Sequence, residues 1–443
     1  MMTGLSAQNL IFGRPRSAAR SAQFQGWTLP ESDERDVSAA LKAARSQPLV
    51  PIDAAVEALA DIGGQADWIT DDHLMKISGN TGSAMKYLRT SIARLNEWLA
   101  SIGEFVSRHG VPTAYGIRTP DGVLSGGIPT TLVLAGDATA VGPLALAHTV
   151  LAGARVVAKG SRFEPLAPYL FLRALADRGI PVPQLLFFDS SSDTGRGLLT
   201  TMIEHTAQSV IYGADRTISG IYGRASTDAA HKKIGFWAGR SGILVLPDAD
   251  PEVAGRCIAV GTGEDRGNRC YSTMKAFVPA KIADAVLENM VKAADGMVRG
   301  DPLDPRTDIG VLPAQARREA AESVGTAELI YDRDMMFVRC DPGHYLLREE
   351  LPYPICAIRV YDDREDIAEV VNATVRDSAA GRGLALSVVT RDPSRLMPDA
   401  GRLAACKIIF NRPTTDLDHM YAHQGIYLFK ELMRFSAVEL TVP

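Results

Sequence analysis

From residue 131 onward, short apolar segments alternate with segments of helical spacing, and few architectures accommodate that alternation. Residues 131–134 read as a strand, 135–142 as a loop of small residues, 144–151 as a helix and 155–158 as a second strand. A helix over 165–178 and a strand over 184–188 follow, and segments 198–203, 209–212 and 242–246 continue the pattern. Strands that alternate with helices run parallel, so the pattern predicts an α/β fold with a doubly wound sheet. Such sheets take ligands where their strands end. Lys159-Gly160-Ser161-Arg162 and Tyr212-Gly213-Ala214-Asp215 both stand at predicted strand ends. The GxGxxG fingerprint with its downstream acidic residue is absent.

The alternation resumes further on. Helices are expected over 279–297, 317–324 and 364–372, and strands over 355–360, 384–390 and 404–410, which amounts to a second α/β domain. A chain of 443 residues exceeds one ordinary core, so two or three domains are expected. Upstream, residues 1–27 read as an irregular leader and 31–110 as mainly helical, with Ser32 and Asp53 as helix starts. Residues 114–129 are broken by glycines, and Thr119-Pro120-Asp121-Gly122 is a turn signal, so a β-hairpin is expected there. Residues 421–443 read as a helix followed by a short strand over 437–442.

Composition excludes several functions. A net charge of −5 gives no electrostatic reason to bind nucleic acid. The most apolar window, 130–158, contains Asp137, Pro143 and His148, which argues against a membrane span. Residues 1–25 carry arginines but no apolar run, so no signal peptide is expected. The five cysteines are scattered, without CxxC spacing or clustered histidines. That pattern favours neither zinc nor disulfides and predicts a reducing, cytoplasmic setting.

One stretch carries chemistry. In Gly267-Asn268-Arg269-Cys270-Tyr271-Ser272-Thr273, a cysteine among small polar residues precedes a strand-like Ala276-Phe277-Val278. Arg269 and Lys275 supply positive charge that favours the thiolate, the nucleophilic form. Cys257, Cys340, Cys356 and Cys406 read as packing residues.

Several runs, taken in order over residues 132–435, resemble the aldehyde dehydrogenase superfamily. Gly267-Asn268-Arg269-Cys270 is similar to its Gly-Gln-x-Cys nucleophile motif, and Val156-Val157-Ala158-Lys159-Gly160-Ser161 to the strand and Lys-Pro-Ser that hold the adenosine ribose. Gly300-Asp301-Pro302 resembles its Gly-Asp-Pro loop, and Glu349-Glu350-Leu351-Pro352-Tyr353-Pro354 resembles Glu-Glu-x-Phe-Gly-Pro. The resemblance implies an aldehyde-dehydrogenase-like α/β fold. A Rossmann-type NADP(H)-binding domain would span 1–113 and 130–236, a catalytic domain 237–430, and a small β oligomerisation element 114–129 and 431–443. It implies Cys270 as nucleophile. Lys159 and Ser161 would serve as cofactor ligands, Glu350 as a nicotinamide-ribose ligand and Gly213 for close backbone approach. His423 would be a proton donor, and the protomers would pair as a homodimer or homotetramer.

Two departures sharpen that reading. Hydrolytic members carry a general-base Glu 34 positions before the cysteine; Phe236 stands there and cannot activate water. Asp137 replaces the usual oxyanion-binding Asn, and a carboxylate opposes an oxyanion. Cys270-Tyr271-Ser272-Thr273 and Ala422-His423-Gln424-Gly425 are similar to runs of the bacterial bioluminescence acyl-CoA reductase branch. The resemblance therefore implies NADPH-dependent reduction of an acyl-CoA or acyl-carrier protein thioester to an aldehyde. Arg162 would pair with the 2′-phosphate of NADPH, with NADH as the other choice. An acyl-phosphate reductase, a conventional aldehyde dehydrogenase and a non-catalytic scaffold remain open.

Overall fold

In the computed structural model, residues 7–438 are described except positions 17, 19, 25, 137 and 313. The chain divides into two units. One comprises Met1–Thr81, Arg89–Phe236 and Tyr427–Pro443, the other Gly82–Leu88 and Trp237–Ile426.

The first unit is built on a seven-stranded sheet. Its order is Lys232–Phe236, Gln208–Tyr212, Pro129–Val133, Arg155–Lys159, Gln184–Leu186, Asn9–Ile11 and Arg14–Arg16. The first five strands are parallel. Val156, Val157 and Ala158 are wholly buried, as a strand covered on both faces requires. The helices Val141–Leu151, Leu166–Asp177 and Asp193–Glu204 make the connections. After Gln184–Leu186 the chain crosses to the far side of Pro129–Val133. The switch point of the sheet therefore lies between the ends of Pro129–Val133 and Gln208–Tyr212.

The expected irregular leader is instead strand-forming. Asn9–Ile11 pairs antiparallel with Gln184–Leu186 and with Arg14–Arg16. Leu10 and Ile11 are buried, and the Asn9 side chain accepts the Phe187 N–H at 3.1 Å. A three-residue strand is too short for periodicity to show it. Helix Glu34–Ser46 starts one residue beyond the expected Ser32: Asp33 caps it and Asp36 returns the bond in a capping box.

A separate four-stranded antiparallel sheet has the order Arg434–Ala437, Gly122–Ser125, Gly116–Thr119 and Val111–Thr113. The expected hairpin is its centre. Gly116 is required, since a Cβ there would stand 2.1 Å from the Leu124 carbonyl oxygen. The expected C-terminal strand over 437–442 begins earlier, at Arg434, and residues 439–442 lie outside the described residues. The expected helix before it is the short Leu428–Glu431.

The second unit carries another seven-stranded sheet. Its order is Glu328–Asp332, Met336–Arg339, Ile355–Tyr361, Lys275–Pro279, Gly242–Val245, Gly383–Val389 and Ala405–Phe410, parallel except for the first pair. Helices Pro251–Gly263 and Ala283–Asp295 pack on one face through Ile258, Met290 and Val286. Among the described residues, no helix is long and apolar enough to cross a membrane, and no His, Cys, Asp and Glu cluster fits a metal.

Candidate active site

Cys270 stands on the loop that leads into strand Lys275–Pro279, at the amino edge of the second sheet. Residues at the starts of two neighbouring strands meet it there. Ser241 donates its hydroxyl to the Cys270 carbonyl at 3.1 Å and accepts the Ala385 N–H at 3.2 Å. Gly239 lies against the Cys270 peptide, and its own carbonyl accepts the Leu384 N–H at 2.6 Å. The approach to Cys270 is a run of left-handed backbone: Asp265 at φ 48°, Arg266 at φ 64° and Gly267 at φ 65°. Two of these carry side chains, a strained arrangement that surrounding contacts must hold. Gly267 also abuts Pro354, where a Cβ would come within 2.5 Å of its Cα.

Glu350 and its neighbours brace this loop. Its carboxylate accepts the Gly239 N–H at 2.7 Å and the Arg240 N–H at 3.5 Å. Arg240 donates through Nε to the Arg348 carbonyl at 2.8 Å. Glu350, expected as a cofactor-ribose ligand, is here seen to position the segment that touches Cys270.

The two charges expected to favour the thiolate have further partners of their own. Arg269 is buried, forms an ion pair with Asp265, and its guanidinium lies 5.0 Å from the Tyr87 ring centre. Tyr87 and Tyr271 share a hydroxyl–hydroxyl hydrogen bond of 2.7 Å. Lys275 is fully buried and donates to the Leu347 carbonyl at 3.1 Å. Burial first, then Arg240, pushes its amine down to about 7, against the attraction of Glu350.

Cys270 is half-buried, while Cys257, Cys340 and Cys356 are buried. Burial raises the thiol of Cys257 to about 11, that of Cys340 to about 12, and those of Cys356 and Cys406 as well. These four are poor sources of thiolate. His423 is pushed down to about 3 by burial and by Lys407 and His419, so its imidazole is neutral at ordinary pH. Its neighbour Gln424, which the sequence did not single out, accepts the Trp237 N–H at 3.0 Å and donates to the Trp237 carbonyl at 2.7 Å.

The remaining expected residues belong to the first unit. Phe236 is buried and stacked on Tyr212, ring centres 4.3 Å apart and planes 4° from parallel. Asp137 lies outside the described residues. Lys159 ends strand Arg155–Lys159 at 8% exposure, and among the described residues its amine has no hydrogen-bond partner. Burial and Arg162 lower it to about 8, against Asp189. Ser161 turns the chain: it donates to the Gly136 carbonyl and accepts the Phe163 N–H at 3.0 Å. Arg162 is held by Asp189 at 2.7 Å, with its guanidinium 4.4 Å from the Phe24 ring centre. Asp189 is another residue the sequence did not single out.

These residues fit a nicotinamide dinucleotide. At one strand end stands a nearly buried amine that has no hydrogen-bond partner among the described residues. At the switch point, Gly213 precedes helix Asp215–Arg224, whose first turn has no side-chain cap. A Cβ on Gly213 would meet Thr217 only at ordinary contact distance, so the packing itself does not require glycine there. Uncapped N–H groups at a helix start attract phosphate.

Both units are α/β, each built on a mainly parallel seven-stranded sheet. Residues 137–427 match the aldehyde dehydrogenase family model, and the chain belongs to that family. Betaine aldehyde dehydrogenase 1 of Rhizobium meliloti (strain 1021) is 26% identical over 285 residues, 60% of this chain and 57% of that protein. Vanillin dehydrogenase of Pseudomonas fluorescens is 25% identical over 416 residues, 90% of this chain and 81% of that protein. The chain spans little more than half the length of several curated relatives it matches. A solved indole-3-acetaldehyde dehydrogenase complexed with NAD+ superposes with a TM-score of 0.83 at 18% identity, covering 99% of this chain and 97% of that one. Acyl-CoA reductases are not among these relatives.

Proposed function

We propose that the chain is a nicotinamide-dependent aldehyde dehydrogenase with Cys270 as nucleophile. The bracing of the Cys270 peptide by Gly239, Ser241 and Glu350 carries this reading, because a nucleophile acts through fixed position. Kinship with betaine and vanillin aldehyde dehydrogenases supports the direction of oxidation. The Cys270 thiolate adds to the aldehyde carbonyl, forming a C–S bond and placing negative charge on oxygen. Bound NAD(P)+ supplies the hydride acceptor, which leaves a thioester on Cys270. Lys159, with the Gly213 turn and the start of helix Asp215–Arg224, would hold the dinucleotide.

Release of the acyl group needs an acceptor. Phe236 offers no base for water, and the His423 imidazole, held down to about 3, is a weak base. This favours a second reading, in which a thiol accepts the acyl group and the reverse reaction reduces an acyl-CoA or acyl-carrier protein thioester. Arg162 can meet the 2′-phosphate of NADPH by leaving Asp189, so either cofactor is served. The four-stranded sheet ends in two open edges, with Val111 and Phe435 exposed at 54% and 52%; we assign it to self-association as a homodimer or homotetramer. The five scattered cysteines, without paired spacing, suit a reducing cytoplasm.

The test supplies a panel of aldehydes with NAD+ or NADP+, with and without CoA, to the wild type and Cys270→Ala. Reduced nicotinamide from the wild type alone supports the proposal; equal rates in the variant refute it. Faster turnover with CoA, accompanied by acyl-CoA, selects the second reading, whereas a carboxylate product at an unchanged rate selects hydrolysis.

A further inference from the structure

The loop leading to Cys270 also carries a buried cation that the proposed chemistry does not use. Arg266 is 7% exposed. Its guanidinium makes one hydrogen bond among the described residues, from Nη2 to Ser83 Oγ at 3.3 Å, and its buried Nε has no partner. The adjacent carboxylate, Asp265, is paired with Arg269. Among the described residues Arg266 has no ion pair, which is costly for a buried guanidinium, and the left-handed backbone there adds strain.

Arg266 lines a cavity of about 270 Å³. Asn268 shares its polar side, while Leu312, Ala316 and Pro352 form an apolar wall. That volume is just below the range for drug-sized ligands, and too small for a nucleotide. At the rim, Gln315 donates to Glu319 at 2.8 Å, which sets a carboxylate on the same cavity.

We infer that this cavity binds a short monocarboxylate, its charge on Arg266 and its alkyl part on the Leu312, Ala316 and Pro352 wall. A carboxylate matches the planar donor fork of a guanidinium. The apolar wall favours an alkyl tail over a bare ion. Glu319 opposes a second negative charge and so selects against inorganic phosphate. The inference concerns binding alone and does not depend on the reaction proposed for Cys270.

Calorimetric titration of the full chain with butanoate, inorganic phosphate and butylamine tests it. Saturable binding of butanoate is expected, with phosphate at least tenfold weaker and butylamine silent. Arg266→Met abolishes binding. Ala316→Leu, which fills the cavity and keeps Arg266, also abolishes it and serves if the arginine variant fails to fold. Glu319→Gln strengthens phosphate binding severalfold. Absent butanoate binding, binding that survives Ala316→Leu, or equal affinity for phosphate would overturn the assignment.

Discussion

Gly239 is packed so closely on Cys270 that a Cβ added to it would stand 1.5 Å from the Cys270 carbonyl oxygen. The obstacle is backbone, so no side-chain rotation relieves it. Gly239→Ala must displace the Cys270 peptide or its own segment. Aldehyde oxidation is expected to fall about 100-fold, with far-ultraviolet circular dichroism unchanged, because small misplacements of a nucleophile are expensive. Full activity in the variant would show that Cys270 tolerates displacement.

Lys275 predicts a pH-dependent stability. Its folded-state pKa of about 7 lies below its ordinary 10.5. The unfolded chain therefore binds more protons between those values, and stability rises with pH across them. Below about pH 7 the buried amine must be charged in the folded state, and the penalty is complete. Lys275→Met is expected to gain on the order of 3 kcal/mol more at about pH 6 than at about pH 10. Denaturant unfolding at the two values measures it, and an equal effect at both would show that the amine is not desolvated.

Asp189 predicts cofactor preference. It holds Arg162 at 2.7 Å, and Ser191, more than Arg162, keeps its carboxyl down at about 2. Asp189→Asn frees the guanidinium and removes a charge that opposes a 2′-phosphate. Affinity for 2′,5′-ADP relative to AMP is expected to rise about fivefold, the scale of a partly exposed ion pair. Calorimetry with the two nucleotides reads this without turnover; an unchanged ratio would detach Asp189 from cofactor choice.

Gln424 predicts a local loosening. Its side chain pairs with both polar groups of the Trp237 peptide. Gln424→Ala is expected to cost about 2 kcal/mol. Gln424→Glu should cost more, since a carboxylate then faces the Trp237 carbonyl. Thermal unfolding and hydrogen exchange at Trp237 measure both, and unaltered exchange would deny the clamp.

Much of the framework was legible in local sequence. The strand expected over 155–158 is Arg155–Lys159 and the helix expected over 165–178 is Leu166–Asp177, because apolar runs bounded by breakers mark themselves. Lys232–Phe236 was not legible: its two lysines are exposed, and its strand character comes from pairing with Gln208–Tyr212. At the site, the Cys270 motif is local and was visible. Ser241 and Gln424 act on partners far along the chain, 144 residues away for Ser241 and Ala385 and 187 for Gln424 and Trp237. No window of sequence contains both ends of such a contact. The ion pair of Arg269 with Asp265 is different: its partners share one short window, and left-handed backbone at Asp265 and Arg266, which the sequence did not announce, brings them together.

The amino edge of the second sheet has a consequence for how this protein comes into being. Ser241 joins the Cys270 carbonyl to the Ala385 N–H, and strand Gly242–Val245 lies between Lys275–Pro279 and Gly383–Val389. A chain emerging from the ribosome therefore lacks the braced cysteine until Ala385 has been made and the late strand has docked. Closing so long a loop is slow. Nascent chains carry Cys270 without this bracing, and its fixed position belongs to the finished molecule alone.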